Sequence, residues 1–580
     1  MTVEDDGHGM SPRALAHILF HIGGSAKRSP GGASLGITAT DDPNRSPNGR
    51  KLIGKIGIGL FSVSQLTRAF QVITKTKDDP FRTIASIQLR QYGDDAEQLS
   101  GSAQQRYESG KVNVWRERAS DVSSHGTSIV LSSIRNQAKT TLQSRELWNV
   151  IDHNNRLLEV EPRPQAHATT ILPPTFHIGR VDQTGHYLST HGKVLRSLPW
   201  EPEDDPSLAF KKLVDAVWDQ VGRENPNPRL ESLFDNYLRM VWQLSLAVPL
   251  PYVNGSLFEL TAKDTTDYYR LGNSAKSTAE RVVLSGSETI AQSAGVSDDL
   301  MPLNGFEVTI DKLRLFRPLK FRDLPVTEHA TKRPLFFVGS FSEKFEGTPR
   351  ELSGGPLMFD AYLMWSPKIA PTEHQGSLVR IHGASGTLFD PTFLRYQVSE
   401  QTRLRQISCE IFVREGLDSA LNIDRESFNS AHPHTVAITR WLHGSLRQVA
   451  SAQKRIAAEL RMNIRAGEAD SLVDELRGIT ATLWIERHDD EASAPPSIVF
   501  ASRGDQATSG ADAFVFARDL VLRDAEKTER PREVDLRMEA TIRAIAQTLA
   551  AFGLLDSLAK FEQESLLRTI RRILQAAENR

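Results

Sequence analysis

The chain has 580 residues and a mass of 64.6 kDa, room for about three or four domains. Its formal net charge is −2 and its mean hydropathy −0.36, so bulk charge gives no drive toward nucleic acid or an anionic membrane. A single cysteine, Cys409, excludes an internal disulfide and suits a reducing cytoplasm.

The first informative string is Asp5-Asp6-Gly7-His8-Gly9-Met10, a carboxylate ending a short strand and running into a glycine-paired turn. A carboxylate buried there needs a donor, which an exocyclic amine supplies, and the glycines let a flat base approach the backbone. A surface Asp-Gly turn would look the same. Residues 12–22 follow as a helix, with Leu15, Ile18, Leu19 and Ile22 at helical spacing. From Gly23 to Asn48 the chain is rich in Gly, Pro, Ser, Asn and Asp, which reads as a mobile loop.

The second string is Gly54-Lys55-Ile56-Gly57-Ile58-Gly59-Leu60-Phe61-Ser62, a glycine-rich turn opening a helix over residues 60–66. Unpaired N–H groups at a helix start bind phosphate, and glycines let it come close. The string lacks the Gly-Lys-Ser/Thr of a P-loop. It also follows a polar loop, whereas a dinucleotide fingerprint follows a strand. Residues 70–76 and 127–131 alternate as strands, the latter after Gly126.

Together and in this order, the two strings resemble the nucleotide-binding motifs of the GHKL ATPases. That superfamily includes gyrase, the heat shock protein 90 chaperones, histidine kinases and MutL, and MORC-type ATPases share its fold. The resemblance implies a Bergerat-type α/β sandwich over residues 1–175, binding ATP with Mg2+. It assigns Asp5, Gly7, Gly9 and Met10, and then Gly54, Gly57, Gly59, Leu60 and Phe61, to the nucleotide, with Asp5 on the adenine. The loop between the strings becomes the lid over the nucleotide, in which Ser25 and Lys27 stand where phosphate contacts are made. Gly126-Thr127-x-Ile129-x-Leu131 resembles the last motif, whose threonine, here Thr127, reaches the adenine region.

In the superfamily a helix before the aspartate carries the catalytic glutamate and the magnesium-binding asparagine. Only Met1 to Glu4 precede Asp5, and Glu4 should point to the opposite face of its strand. No metal ligand is therefore assigned, and ATPase activity is left open. A misassigned start is favoured over a true truncation or a helix supplied by a partner, because a sheet without its helix exposes apolar surface.

Beyond residue 175, helices are expected over 208–221 and 229–246, within a mixed connector with an insertion that occupies 176–300. Residues 241–253 are the nearest approach to a membrane span, broken by Gln243, Pro249 and Pro251. Residues 273–302 are polar and small, suggesting a long loop. An αβ middle domain is expected over 301–440, with strands at 355–365, 377–382 and 407–413. The string from Val413 to Phe428, with Leu421-Asn422-Ile423-Asp424-Arg425-Glu426, resembles the heat shock protein 90 middle domain. By that resemblance Arg425 is the catalytic arginine that points to the γ-phosphate; a salt bridge with Glu426 is the plainer alternative. Residues 441–580 read as helical, poorer over 489–505, and offer a possible homodimer interface.

The fold class expected is therefore α+β, and the function a cytoplasmic, heat shock protein 90-like ATP-driven clamp or chaperone acting on a protein client. A MORC- or MutL-like nucleic-acid clamp is the first alternative, weakened by the absence of a basic excess. A non-hydrolysing nucleotide-binding module is the second. A histidine kinase is disfavoured, since no phosphoacceptor helix or membrane sensor precedes the first string.

Overall fold

A computed structural model of the chain describes residues 1–21, 26–27, 30–50, 52, 54, 59–89, 110–160, 171–220, 228–264, 267–274, 276–296, 306–324, 333–397, 404–422, 427–488, 495–501, 513–522 and 533–578. It divides into two compact units, Met1–Ala452 and Gln453–Arg580.

At the start of the first unit, β1 (Thr2–Asp5), β2 (Ala69–Lys75), β3 (Phe81–Leu89), β4 (Gly110–Arg118) and β5 (Gly126–Ser132) form an antiparallel sheet in the order β1-β5-β2-β3-β4. Alternation decides which face is covered. Phe70 and Val72 of β2, Ala85 and Ile87 of β3 and Leu131 of β5 meet Leu15 in one apolar cluster. Leu15 belongs to α1 (Pro12–Phe20), which starts where it does because Ser11 accepts from the Ala14 N–H and Pro12 sets the first turn. Val63 and Leu66 join the same cluster from the segment that follows the second glycine string. Gly59–Gln65, which begins inside that string and ends just before Leu66, is a 3-10 helix, tighter than the α-helix expected. The stretch expected to be a mobile loop contains a short helix, Pro30–Ser34, followed by hydrogen-bonded turns around Asp42, Ser46 and Arg50.

The larger core of this unit is built on a mixed six-stranded sheet, Gly376–Ile381, Ile407–Glu415, Leu357–Trp365, Leu335–Glu343, Asp267–Arg270 and Glu280–Val282 in spatial order. The strands read from the sequence at 355–365, 377–382 and 407–413 are three adjacent strands on one side of it. The last strand, Glu280–Val282, lies within 273–302, whose polar composition suggested a loop. Glu280–Val282 is short and mostly exposed, so little apolar alternation marks it. Helices Pro206–Asp219 and Asn236–Ala247 pack on this sheet through Phe210, Leu213, Trp242 and Leu246. The helix expected over 229–246 is two helices, Leu230–Leu233 and Asn236–Ala247; the second begins where Asp235 caps it, accepting from Leu238 N while its other oxygen accepts from Ile178 N.

A charged group lies in the middle of this core. Glu410 and Arg380 are fully buried and paired, and Arg317 is 2% exposed. Tyr252 and Tyr362 both donate to Glu410 Oε2, at 2.7 and 2.6 Å. Arg380 also donates to the Leu246 carbonyl at 2.7 Å, and the Arg317 guanidinium lies 4.6 Å over the Tyr252 ring. Burial pushes the Glu410 carboxyl up, but Arg380, Arg317 and the two tyrosines outweigh it and hold it below its ordinary value.

In the second unit, the later part of the long helix Pro433–His488 is followed by the parallel strand pair Ser497–Ala501 and Ala513–Ala517 and by helices Glu533–Ala551 and Lys560–Glu578. Ile498, Phe500, Phe516, Ile542, Leu555 and Leu567 form its core. The helical reading of this region holds, with the correction that Ser497–Ala501, inside the stretch read as poor, is a strand. No helix among the described residues is long and apolar enough to cross a membrane.

Replacing Glu410 by Gln leaves two buried guanidiniums without their carboxylate, and the variant should lose about 3–5 kcal/mol of stability at neutral pH. Because the folded carboxyl is depressed, the wild-type contribution is complete above the unfolded value, about 4.3, and lost as pH falls through the folded one. Urea midpoints should therefore converge in acid; equal midpoints at pH 7 would show that the pair contributes nothing.

Candidate functional site

Antiparallel register places Asp5 of β1 opposite Thr127 of β5, and Thr127 opposite Thr74 of β2. These residues form one row across the sheet. Thr74 lies two residues along β2 from Val72, so the row sits on the face that α1 covers, at its open end.

Hydroxyl and backbone bonds tie the row to the turn after β1. Thr74 Oγ1, 1% exposed, accepts from Met10 N at 2.8 Å and lies 3.1 Å from Thr127 Oγ1 and 3.2 Å from the Gly126 carbonyl. Asp5 Oδ1 accepts from Gly7 N at 2.9 Å, and His125 Nδ1 lies 2.7 Å from the Gly7 carbonyl. His8 Nε2 is 3.1 Å from the Gly36 carbonyl, linking the first string to the segment between the strings.

Two glycines permit the approach. Gly9 has φ +70°, and a Cβ on it would lie 1.9 Å from the Lys75 carbonyl oxygen. Gly126 has φ +130°, and its Cβ would lie 2.1 Å from the Asp5 carbonyl oxygen. Neither position has room for a side chain.

Asp5 differs from expectation in one respect. It is exposed, as is the whole of β1, which is an edge strand among the described residues. Its carboxylate is thus held by the Gly7 N–H while the residue stays exposed.

The second string is partly described. Lys27 is half-buried, and its ammonium would lie 3.4 Å from a Cβ on Gly54, so these two sequence candidates are brought together. Gly59 is exposed and starts the 3-10 helix, with Leu60 and Phe61 in its first turn. Because Val63 and Leu66 share a cluster with Met10 and Leu15, both strings border the same covered face. Ser25, Gly57 and Arg425 lie outside the described residues. The flanks of Arg425 are described: Asn422 and Ser427 pair through N–H to O at 3.0 Å and Nδ2 to Oγ at 2.7 Å. Among the described residues, no group of three or more His, Cys, Asp or Glu side chains could hold a metal ion.

Sequence reasoning missed Thr74 and His125. Thr74 sits in an ordinary alternating strand, and the one available signal is its register against Thr127, which exists only once the sheet is paired.

Replacing Gly9 by Ala should destabilise the β1 turn by more than about 1 kcal/mol. Raised hydrogen exchange at Gly7 to Met10 and at Gly126 checks it, and unchanged exchange would show the turn adapts.

Residues 1–146, about a quarter of the chain, match the family model described as histidine kinase-, DNA gyrase B-, and HSP90-like ATPase. No curated protein matches the chain. The matched segment spans both glycine strings, the whole five-stranded sheet and Thr127. The match supports an ATP-binding domain of the GHKL superfamily at residues 1–146, without distinguishing the heat shock protein 90 branch from the others.

Proposed function

We propose that this N-terminal domain binds ATP with its adenine against the Asp5–Thr127–Thr74 row and its phosphates toward the second glycine string. The observation that carries the reading is the row itself: a carboxylate and two hydroxyls aligned by register, beside turns that Gly9 and Gly126 let pack directly against neighbouring backbone. The exposed Asp5 carboxylate accepts the exocyclic amine of adenine, and Thr127 offers a hydroxyl beside it. The ammonium of Lys27, close to Gly54, suits a phosphate oxygen, and backbone N–H groups of Gly57 and Gly59 serve the same end. Magnesium then arrives with the phosphates, its usual companions.

In the fuller form of the proposal the chain is a nucleotide-driven clamp. Arg425, which lies between Asn422 and Ser427 in the sequence, comes to the γ-phosphate and couples ATP to closure. A protein client, a homodimer through the C-terminal helices and a cytoplasmic setting belong to the same reading by likeness to the heat shock protein 90 chaperones.

Calorimetry with magnesium and ATP tests the binding half. The wild-type chain should bind, and Asp5→Asn should weaken binding by roughly ten- to a hundredfold, because an amide puts a donor where the amine needs an acceptor. Equal affinities would remove Asp5 from the site. For the clamp, small-angle scattering with a non-hydrolysable ATP analogue should show compaction in wild type and none in Arg425→Ala, with ATP affinity changed less than about threefold in that variant. Compaction that survives the substitution would dismiss the arginine's role.

A further inference from the structure

We propose that Lys75 is a positioning residue for the nucleotide site, fixing from the opposite face of the sheet the two turns that flank the adenine row. This rests on the ATP reading above. Lys75 ends β2, next to Thr74, and alternation sends its side chain away from the row. It is 7% exposed, unusual for a lysine. Its ammonium donates to the carbonyls of Val122 at 2.5 Å, Ser124 at 2.6 Å and Thr76 at 3.3 Å. Ser124 is followed directly by His125, Gly126 and Thr127, so the ammonium holds the entry to the strand that presents Thr127.

The same residue reaches the other turn through its backbone. The Lys75 carbonyl is the atom that leaves Gly9 no space for a Cβ. Lys75 also stands opposite Gly126 in the β2–β5 register, and Gly126 in turn packs under the Asp5 carbonyl. One residue thus sets the separation of the Gly7–Met10 turn from the His125–Thr127 turn.

The chemistry of the contact explains why a lysine is used. Three carbonyls, two in the Val122–Ser124 turn and one on the neighbouring Thr76, need a donor that can serve them all, and an ammonium has three N–H bonds and no acceptor. The charge faces neutral oxygens, with Asp121 in the same turn as the nearby anion. The Asp121 carboxyl is held below its ordinary value by Ser123, and the Lys75 charge contributes. A methionine of similar length would fill the space and leave the carbonyls of Val122 and Ser124 without this donor.

The test uses the full chain and four proteins: wild type, Lys75→Met, Thr127→Val and the double variant. In the absence of nucleotide, Lys75→Met should raise amide exchange about tenfold or more across residues 122–127, and leave β3 unchanged. With magnesium and ATP, Lys75→Met should weaken binding roughly tenfold, although Lys75 touches no ligand. The decisive quantity is coupling: if Lys75 acts by placing Thr127, the loss from Thr127→Val should shrink in the Lys75→Met background. Lys75→Arg, which keeps the charge and donors, should recover most of the affinity. Additive losses, or exchange that rises equally in β3, would overturn the proposal and make Lys75 a general stabiliser. Should Lys75→Met fail to fold, Lys75→Gln gives the same readouts. If the wild-type chain does not bind ATP, the nucleotide reading falls, and the exchange pattern alone still decides whether Lys75 holds the turn.

Discussion

The site depends on two places where backbone meets backbone with nothing between. Gly9 lies against the carbonyl of Lys75, and Gly126 lies against the carbonyl of Asp5. Those contacts bring the ends of β1, β2 and β5 close enough for Thr74 to take the Met10 N–H and to approach Thr127. A side chain at either glycine would separate the turns, and the row of Asp5, Thr127 and Thr74 would lose its alignment. The glycines are thus a condition on the geometry of the turns, before any question of room for a ligand.

Much of this was legible in the sequence, for reasons that can be named. Asp5, Gly7 and Gly9 form a short string, and α1 announces itself through Leu15 and Leu19 at helical spacing. Thr74, Lys75 and His125 were not legible, because what makes them matter is who stands opposite, and register is a property of the paired sheet. Asp5 was expected to be buried. Its exposure follows from its place on an edge strand, which nothing in a local string reveals. Similarly, the strand Ser497–Ala501 lies within a stretch whose Ala, Pro, Ser and charged residues masked it; it is a strand because Ala513–Ala517 pairs with it from outside that stretch.

The two sheets of the first unit solve different problems. The six-stranded sheet carries a buried carboxylate, two guanidiniums and two tyrosines in its core, all converging on Glu410. Such a group is poor value as stabilisation when compared with apolar packing, but it permits few alternative arrangements without stranding a charge. Among the described residues the five-stranded sheet has a small apolar cluster under α1, and its Asp5–Thr127 end is joined by hydroxyl-to-backbone and imidazole-to-backbone bonds. One sheet is held to a single packing; the other is held by contacts that can be made and broken singly.

That difference bears on how a nucleotide could do work. Each neutral hydrogen bond of the kind made by Thr74 or Gly7 contributes about 1 kcal/mol net. A ligand present at a hundred times its dissociation constant stabilises the state it binds by about 2.7 kcal/mol. The ligand term therefore equals a few such bonds, enough to reset the turns around Asp5 and Thr127 and the His8–Gly36 link to the segment between the strings. It is smaller than the about 3–5 kcal/mol attached to breaking a buried ion pair such as Arg380–Glu410. In the proposed clamp, nucleotide energy is thus spent on the small sheet and its adjoining segment, while the large sheet moves, if it moves, as a body. The asymmetry comes from chemistry: glycine contacts and single hydroxyls on one side, a shared carboxylate on the other.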